Sequence, residues 1–121
     1  MKCKRFNYKN NKNCSFYVGN YLNNAQCMAI QILDKNGEDI YTCTVNMPDY
    51  MYYPETTTIK NYSENSGMTK FLSKLGIIEE IYSQVPAHRY AEKGETIDFC
   101  LINVEKLKEY SSEFNYEWKV K

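Results

Sequence analysis

The fold class follows from residues 19–50, whose sequence is GNYLNNAQCMAIQILDKNGEDIYTCTVNMPDY. The block opens with turn-forming residues, continues into an apolar run from Ala25 to Leu33, and then reaches Asn36-Gly37. An Asn-Gly pair between two apolar runs is a strong hairpin signal, because both residues tolerate positive φ. The second run, Ile40 to Val45, alternates in the way expected of a strand. We therefore predict two antiparallel strands joined by a tight turn.

The flanking sequence predicts further strands and two short helices. Strand candidates are Ser15 to Val18, Thr56 to Ile59, Ile77 to Val85, Thr96 to Ile102 and, as a final strand or a tail, Phe114 to Trp118. Apolar residues at helical spacing predict helices from Met68 to Leu75 and from Val104 to Tyr110. Gly76 suits a left-handed C-cap and Asn103 an N-cap. We predict an α+β fold, with both helices packed on a single antiparallel sheet of about five to seven strands.

The length of 121 residues is enough for one domain and too small for two. We therefore treat residues 1–121 as a single domain. Two alternatives stay open for the polar, basic residues 1–13. Phe6 and Tyr8 permit a short edge strand, whereas the polar composition also fits a loosely held N-terminal segment.

Charge and cysteine usage disfavour several classes of protein. Fifteen basic and fifteen acidic residues cancel, so the chain lacks the field that drives binding to a polyanion, and nucleic acid is a disfavoured partner. The five cysteines are odd in number and form no Cys-x-x-Cys pair. The chain shows no signal peptide and no apolar run of membrane length. We expect free thiols, a cytoplasmic location and no membrane contact.

The first candidate site is the aromatic run in the loop after the hairpin. Pro48 and Pro54 keep this loop out of a regular strand, since proline cannot donate to a β-ladder. Four apolar or aromatic side chains lie between them, and they are candidate partner-binding residues: Tyr50, Met51, Tyr52 and Tyr53. Exposed Tyr and Met are typical interface anchors. The alternative is that they cap the open end of the sheet.

The second candidate site is His88, Arg89 and Tyr90. The chain has a single His, and only here do an imidazole, a guanidinium and a phenol adjoin. Arg89 could hold a phosphate with two hydrogen bonds while Tyr90 stacks on a base, as in an anion or nucleotide site. The alternative is an exposed connection between strands. We find no catalytic triad, metal-ligand spacing or phosphate-binding loop, and so expect no catalytic residues, no metal site and no cofactor.

The segment from Tyr17 to Tyr62 resembles a family of short uncharacterised proteins. Members are encoded by phages and conjugative elements of low-GC Gram-positive bacteria. The resemblance depends on VGNYLNN (18–24), AIQI (29–32) and TVNMPDY (44–50), and continues weakly through NYSEN (61–65) and LGII (75–78). It covers somewhat more than half of the chain, excluding the first 14 residues and the Tyr-rich tail. It implies a small accessory protein of a mobile element, located in the cytoplasm of a bacterial host.

Such an accessory protein is expected to be a non-enzymatic anti-defence inhibitor, for example an anti-CRISPR that binds and blocks a host effector. This step is an association and not a derivation from site geometry. One alternative is a sponge that sequesters a nucleotide immune signal, with a homo-oligomer as its setting. Another is a DNA-binding accessory protein, which the neutral charge disfavours.

Overall fold

The structure is a computed structural model that describes residues 3–118. Eight strands and two α-helices lie within this range. In chain order they are β1 (Phe6–Tyr8), β2 (Asn11–Tyr21), β3 (Asn24–Leu33), β4 (Asp39–Thr42), β5 (Thr56–Asn61), α1 (Met68–Lys74), β6 (Ile78–Pro86), β7 (Thr96–Ile102), α2 (Val104–Glu109) and β8 (Ser111–Phe114). The α+β character predicted from the sequence is confirmed.

The larger sheet has five strands and is organised around the long strand β2. One edge of β2 pairs with β3, which then pairs with β4, both antiparallel. The other edge pairs with β1 along residues 11–14 and with β8 along residues 16–18. The β2–β8 pair is parallel, so the prediction of an entirely antiparallel arrangement is wrong for this strand.

The remaining strands form a second sheet in the order β5-β7-β6, all antiparallel. The prediction of a single sheet is therefore wrong, and the reason lies at residues 43–45. The predicted strand from 40 to 45 ends at Thr42. Beyond it, Cys43 donates its N–H to Ile30 of β3, while Val45 donates to Thr58 of β5. The segment thus changes partner from one sheet to the other, and a continuous ladder is interrupted.

The helix ends form as the sequence predicts. Gly76 has φ of +82°, and Ile77 N–H donates to the Leu72 carbonyl at 2.9 Å while Gly76 N–H donates to Ser73 at 3.0 Å. This pair of bonds is a Schellman ending for α1. The Asn103 side chain accepts a hydrogen bond from Lys106 N–H at 3.1 Å, which caps α2.

The hydrophobic core lies between the two sheets and the helices and includes the N-terminal segment. Phe6 and Tyr8 of β1 are buried, with the Phe6 ring 4.5 Å from Phe16 and the Tyr8 ring 4.7 Å from Phe71. Lys4 N–H also donates to the Glu109 carbonyl at the end of α2. Met1 and Lys2 lie outside the described residues. In residues 3–13 the structure has the edge strand of the two alternatives, because its aromatic side chains fill space in the core.

A buried carboxylate links α1 to the smaller sheet. Asp98 of β7 accepts hydrogen bonds on Oδ2 from the Thr69 hydroxyl at 2.6 Å and from Gln84 Nε2 at 3.2 Å. Its Oδ1 has no hydrogen-bond partner among the described residues. Thr69 N–H donates to the Asn61 side chain, so the start of α1 is tied to β5 as well. These bonds hold α1 on the face of the smaller sheet that carries the Asp98 side chain, which is the inner face.

Candidate protein-interaction surface

Tyr52 anchors the loop between β4 and β5. Its side chain is 3% exposed, its hydroxyl accepts a hydrogen bond from Met47 N–H at 3.1 Å, and it shares a 2.8 Å hydrogen bond with the Thr58 hydroxyl. Burial raises the pKa of Tyr52 above its ordinary value, so the hydroxyl stays protonated. Tyr52, one of the candidate partner-binding residues, therefore has its aromatic ring in the interior of the folded chain and not on the exposed surface.

The other three residues of the aromatic run differ in exposure. The Tyr50 ring is half-buried and packs 5.7 Å from Phe99. Met51 and Tyr53 are 71% and 57% exposed, and the Tyr53 hydroxyl donates to Met51 Sδ at 3.6 Å. Two side chains of the aromatic run therefore face solvent. Tyr52 is thus directed inward, and its two neighbours are directed outward.

The outward-facing Tyr53 forms one wall of a groove on the outer face of the smaller sheet. We call this the aromatic groove. Its volume is about 370 Å³ and it is lined by Tyr53, Pro54, Thr56, Tyr82, Phe99 and Leu101. Phe99 and Leu101 alternate along β7 and form the floor. Tyr82 of β6 stands edge-on to Phe99 with ring centroids 6.0 Å apart, and it supplies the opposite wall.

Strand register places one carboxylate beside this groove. Glu80 of β6 is the cross-strand partner of Leu101, so the two side chains share the outer face. None of the lining residues is cationic. The groove therefore suits an aromatic or aliphatic side chain with a positive charge nearby, and it repels a phosphate.

The structure brings His88, Arg89 and Tyr90 together in the turn after β6, which we call the 88–90 turn. Tyr90 N–H donates to His88 Nδ1 at 3.2 Å, and the Arg89 guanidinium lies 5.7 Å from the centre of the Tyr90 ring. All three residues are exposed, Tyr90 to 81%. Since no buried wall surrounds them, the turn is a projecting group rather than a pocket.

The groove residues Tyr82, Phe99 and Leu101 were missed as site residues by sequence reasoning. The local pattern did not point to them, because Ile97, Phe99 and Leu101 alternate with Thr96, Asp98 and Cys100, so the aromatic face of β7 resembles a core face. In the structure Cys100 and Ile102 face the core, which leaves the other face to make a surface. What the sequence could not supply is the register that brings β5, β6 and β7 side by side.

The cysteine side chains show no arrangement for metal binding. All five thiols are free, and four of them are buried: Cys14, Cys27, Cys43 and Cys100. Within residues 3–118, no cluster of three or more His, Cys, Asp or Glu side chains is placed to hold a metal ion. In the same range no helix has the length and apolarity needed to cross a lipid bilayer. Burial raises the pKa of Cys43 and raises that of Cys100 to about 12.

Comparison of the chain with protein families, with curated proteins and with solved structures finds no match. The resemblance to small phage and conjugative-element proteins therefore stays a prediction.

Proposed function

We propose that the protein is a non-enzymatic accessory protein of a phage or other mobile element, which inhibits a host defence protein by binding to it. The observation that carries this proposal is the loop between β4 and β5, which presents Met51 and Tyr53 on a fixed support. Exposed apolar side chains are costly for solubility unless they make contacts.

Several hydrogen bonds and a buried ring hold this loop in place. Tyr52 is buried beneath it, and the hydroxyls of three successive threonines donate hydrogen bonds to backbone carbonyls in and around the loop. Thr56 donates to the Tyr53 carbonyl at 2.7 Å, Thr57 donates to Met28 of β3 at 2.7 Å, and Thr58 donates to Val45. A rigid aromatic anchor loses little conformational entropy on binding, which is the usual property of interface hot spots.

Protein binding accounts for this surface better than nucleotide binding does. The exposed loop residues are aromatic or apolar, and the adjacent groove has no cationic lining residue and has Glu80 beside its floor residue Leu101. A nucleotide signal needs cationic groups that face a stacking surface. Arg89 and Tyr90 offer such groups only on a projecting turn, where solvent weakens each contact.

The test is retention of a host protein on the immobilised chain, followed by its identification by mass spectrometry. Met51→Ala combined with Tyr53→Ala should reduce affinity by about 30-fold or more, equivalent to about 2 kcal/mol, since both side chains are candidate hot spots. Leu22→Ala is the matched control, because Leu22 is fully exposed in the turn between β2 and β3.

The proposal fails if no retained protein depends on Met51 and Tyr53. It fails equally if heating the chain releases an intact nucleotide whose retention depends on Arg89 or Tyr90, because that is the behaviour of a sponge. A phage-plating assay in a host that carries the captured defence protein then tests whether binding inhibits defence.

A further inference from the structure

The turn that begins at Tyr53 has an unusual residue at its third position. Thr56 N–H donates to the Tyr53 carbonyl at 3.1 Å, so these residues form a β-turn with Pro54 second and Glu55 third. Glu55 has φ of +65°. A proline followed by a residue of positive φ is the pattern of a type II turn, whose third position normally holds Gly or Asn. A glutamate adopts this left-handed conformation only at a cost in free energy.

Both backbone groups of Glu55 are bonded to distant parts of the chain. Its N–H donates to the Tyr116 hydroxyl at 2.9 Å, and its carbonyl accepts a hydrogen bond from Ile102 N–H at 2.8 Å. A residue in a sparsely populated conformation persists when the surrounding structure fixes it. These two contacts therefore stabilise a turn that its own four residues do not favour.

Tyr116 reaches this turn from the segment that follows β8, which we call the strap (residues 115–117). Asn115 N–H donates to a carbonyl of β2 at 2.7 Å. The Asn20 side chain then binds both backbone groups of Glu117: its Nδ2 donates to the carbonyl at 2.8 Å, and its Oδ1 accepts from the N–H at 3.1 Å. Tyr116 lies between these two fixed points and is half-buried.

The contact with Tyr116 distinguishes between two turn types. Type I and type II turns both accept proline at the second position, and they differ by a rotation of the peptide group between the second and third residues. In this turn that peptide group carries the Glu55 N–H. The Tyr116 hydroxyl accepts this N–H in the observed conformation, and rotation to the type I form would direct the N–H away from it.

The same turn determines how Tyr53 is presented. The Thr56 hydroxyl accepts a hydrogen bond from Tyr53 N–H at 2.9 Å and donates to the Tyr53 carbonyl at 2.7 Å, so the backbone of Tyr53 is fixed to the far end of the turn. Tyr53 is 57% exposed. A change of turn type at Glu55 would therefore change the direction in which the exposed Tyr53 ring points.

We propose that Tyr116 is a positioning residue for the partner-binding loop: its hydroxyl holds the turn at Glu55 in the type II form and thereby fixes the direction of Tyr53. The inference rests on the proposed function for the role of Tyr53 in binding. The effect of Tyr116 on the turn itself does not depend on a partner.

The first test measures the turn in the free protein. NMR scalar couplings and backbone chemical shifts give the sign of φ at Glu55, which should be positive in the native chain. Tyr116→Phe keeps the ring and removes the acceptor, and it should lower the ratio of type II to type I turns by about five-fold or more. Tyr110→Phe is the matched control. The Tyr110 ring packs 5.9 Å from the Phe6 ring of β1, and loss of its hydroxyl should leave φ at Glu55 unchanged.

The second test separates turn conformation from packing by means of Glu55→Gly. Glycine adopts positive φ without steric cost, so the type II turn then no longer needs the hydroxyl. Tyr116→Phe should weaken binding of the captured host protein by about five-fold, and by less than about two-fold in a chain that also carries Glu55→Gly. If Tyr116 acted only through packing or overall stability, both backgrounds would show the same loss.

Two results would overturn the proposal. One is an unchanged ratio of turn types in Tyr116→Phe, because the hydroxyl then does not hold the turn. The other is an equal loss of affinity with and without Glu55→Gly. If no host protein is captured at all, the proposed function fails, and the NMR comparison still decides whether Tyr116 fixes the turn.

Discussion

The hydroxyl of Tyr52 organises the loop that presents Met51 and Tyr53. It accepts a hydrogen bond from Met47 N–H and shares one with the Thr58 hydroxyl. The Tyr52 ring packs 5.7 Å from the Phe99 ring. Without this hydroxyl, buried polar groups would lose their partners, and the cost of an unsatisfied buried group exceeds the net gain of an ordinary hydrogen bond.

We predict that Tyr52→Phe lowers the free energy of unfolding by about 1–2 kcal/mol, because it removes the hydroxyl and keeps the ring. Tyr52→Ala should cost about 3 kcal/mol or more, since it also leaves a cavity. Tyr53→Ala is the matched neighbour and should stay within about 0.5 kcal/mol of the native chain, as surface substitutions do. Urea denaturation measures all three. Equal effects at positions 52 and 53 would show that the loop is not anchored as described.

The connection between β3 and β4 forms a turn by a different route from the one the Asn-Gly pair suggests. It spans residues 34–38, and of the pair only Gly37 has positive φ, at +84°. Asp34 Oδ1 accepts hydrogen bonds from Asn36 N–H at 2.8 Å and from Glu38 N–H at 3.0 Å. The turn is therefore held by an aspartate side chain together with a single left-handed glycine.

Gly37→Val should destabilise the protein by about 1 kcal/mol or more, because a β-branched residue resists positive φ. No atom lies within 4 Å of a Cβ added at Gly37, so the cost comes from the backbone and not from a clash. Gly37→Asn separates the two causes: asparagine tolerates this conformation and should cost less than valine. The urea denaturation midpoints of the two variants measure this difference. Equal losses of stability in Gly37→Val and Gly37→Asn would contradict the backbone explanation.

Four cysteine thiols are buried in the folded protein, and their burial makes the free energy of unfolding depend on pH in the alkaline range. Burial raises the pKa of each of them above the ordinary value of 9.0: Cys14, Cys27, Cys43 and Cys100. Burial likewise raises the pKa of Tyr8 to about 12. Below pH 9 these thiols are protonated whether the chain is folded or not. Above pH 9 the unfolded chain releases protons that the folded chain retains, so the folded state loses stability as pH rises.

We therefore predict that the free energy of unfolding is nearly constant from about pH 7 to 8 and falls steeply above about pH 9. Cys43 and Cys100, whose pKa values are raised most, each contribute a slope approaching about 1.4 kcal/mol per pH unit in that range. Cys43→Val removes one such group at similar volume and should reduce the slope by about that amount. Denaturant titrations at several pH values measure the slopes. A slope unchanged by the substitution would mean that Cys43 is not protected in the folded chain.

Local sequence was sufficient for features that depend on neighbours along the chain. The Schellman ending at Gly76 and Ile77 and the Asn103 cap follow from residues within one helical turn. The predicted strands that begin at Thr56 and Thr96 also lie where expected. Segments of β-branched or alternating residues favour the extended conformation through their own side chains. The α+β class and the exposure of part of the aromatic run were predictable for the same reason.

Tertiary structure decided what depends on segments far apart in sequence. The strand expected to run to Val45 ends at Thr42, because residues 43–45 exchange backbone partners between β3 and β5. Tyr52 became core and Tyr53 surface because Thr58 and Phe99 lie on one side of the loop. The aromatic groove exists only where three strands meet in register. The type of each residue determines whether its side chain gains free energy from burial or from hydrogen bonding. Burial and strand register are properties of the packed chain, and they determine which apolar side chains enter the interior and which stay on the surface, where they can bind a partner.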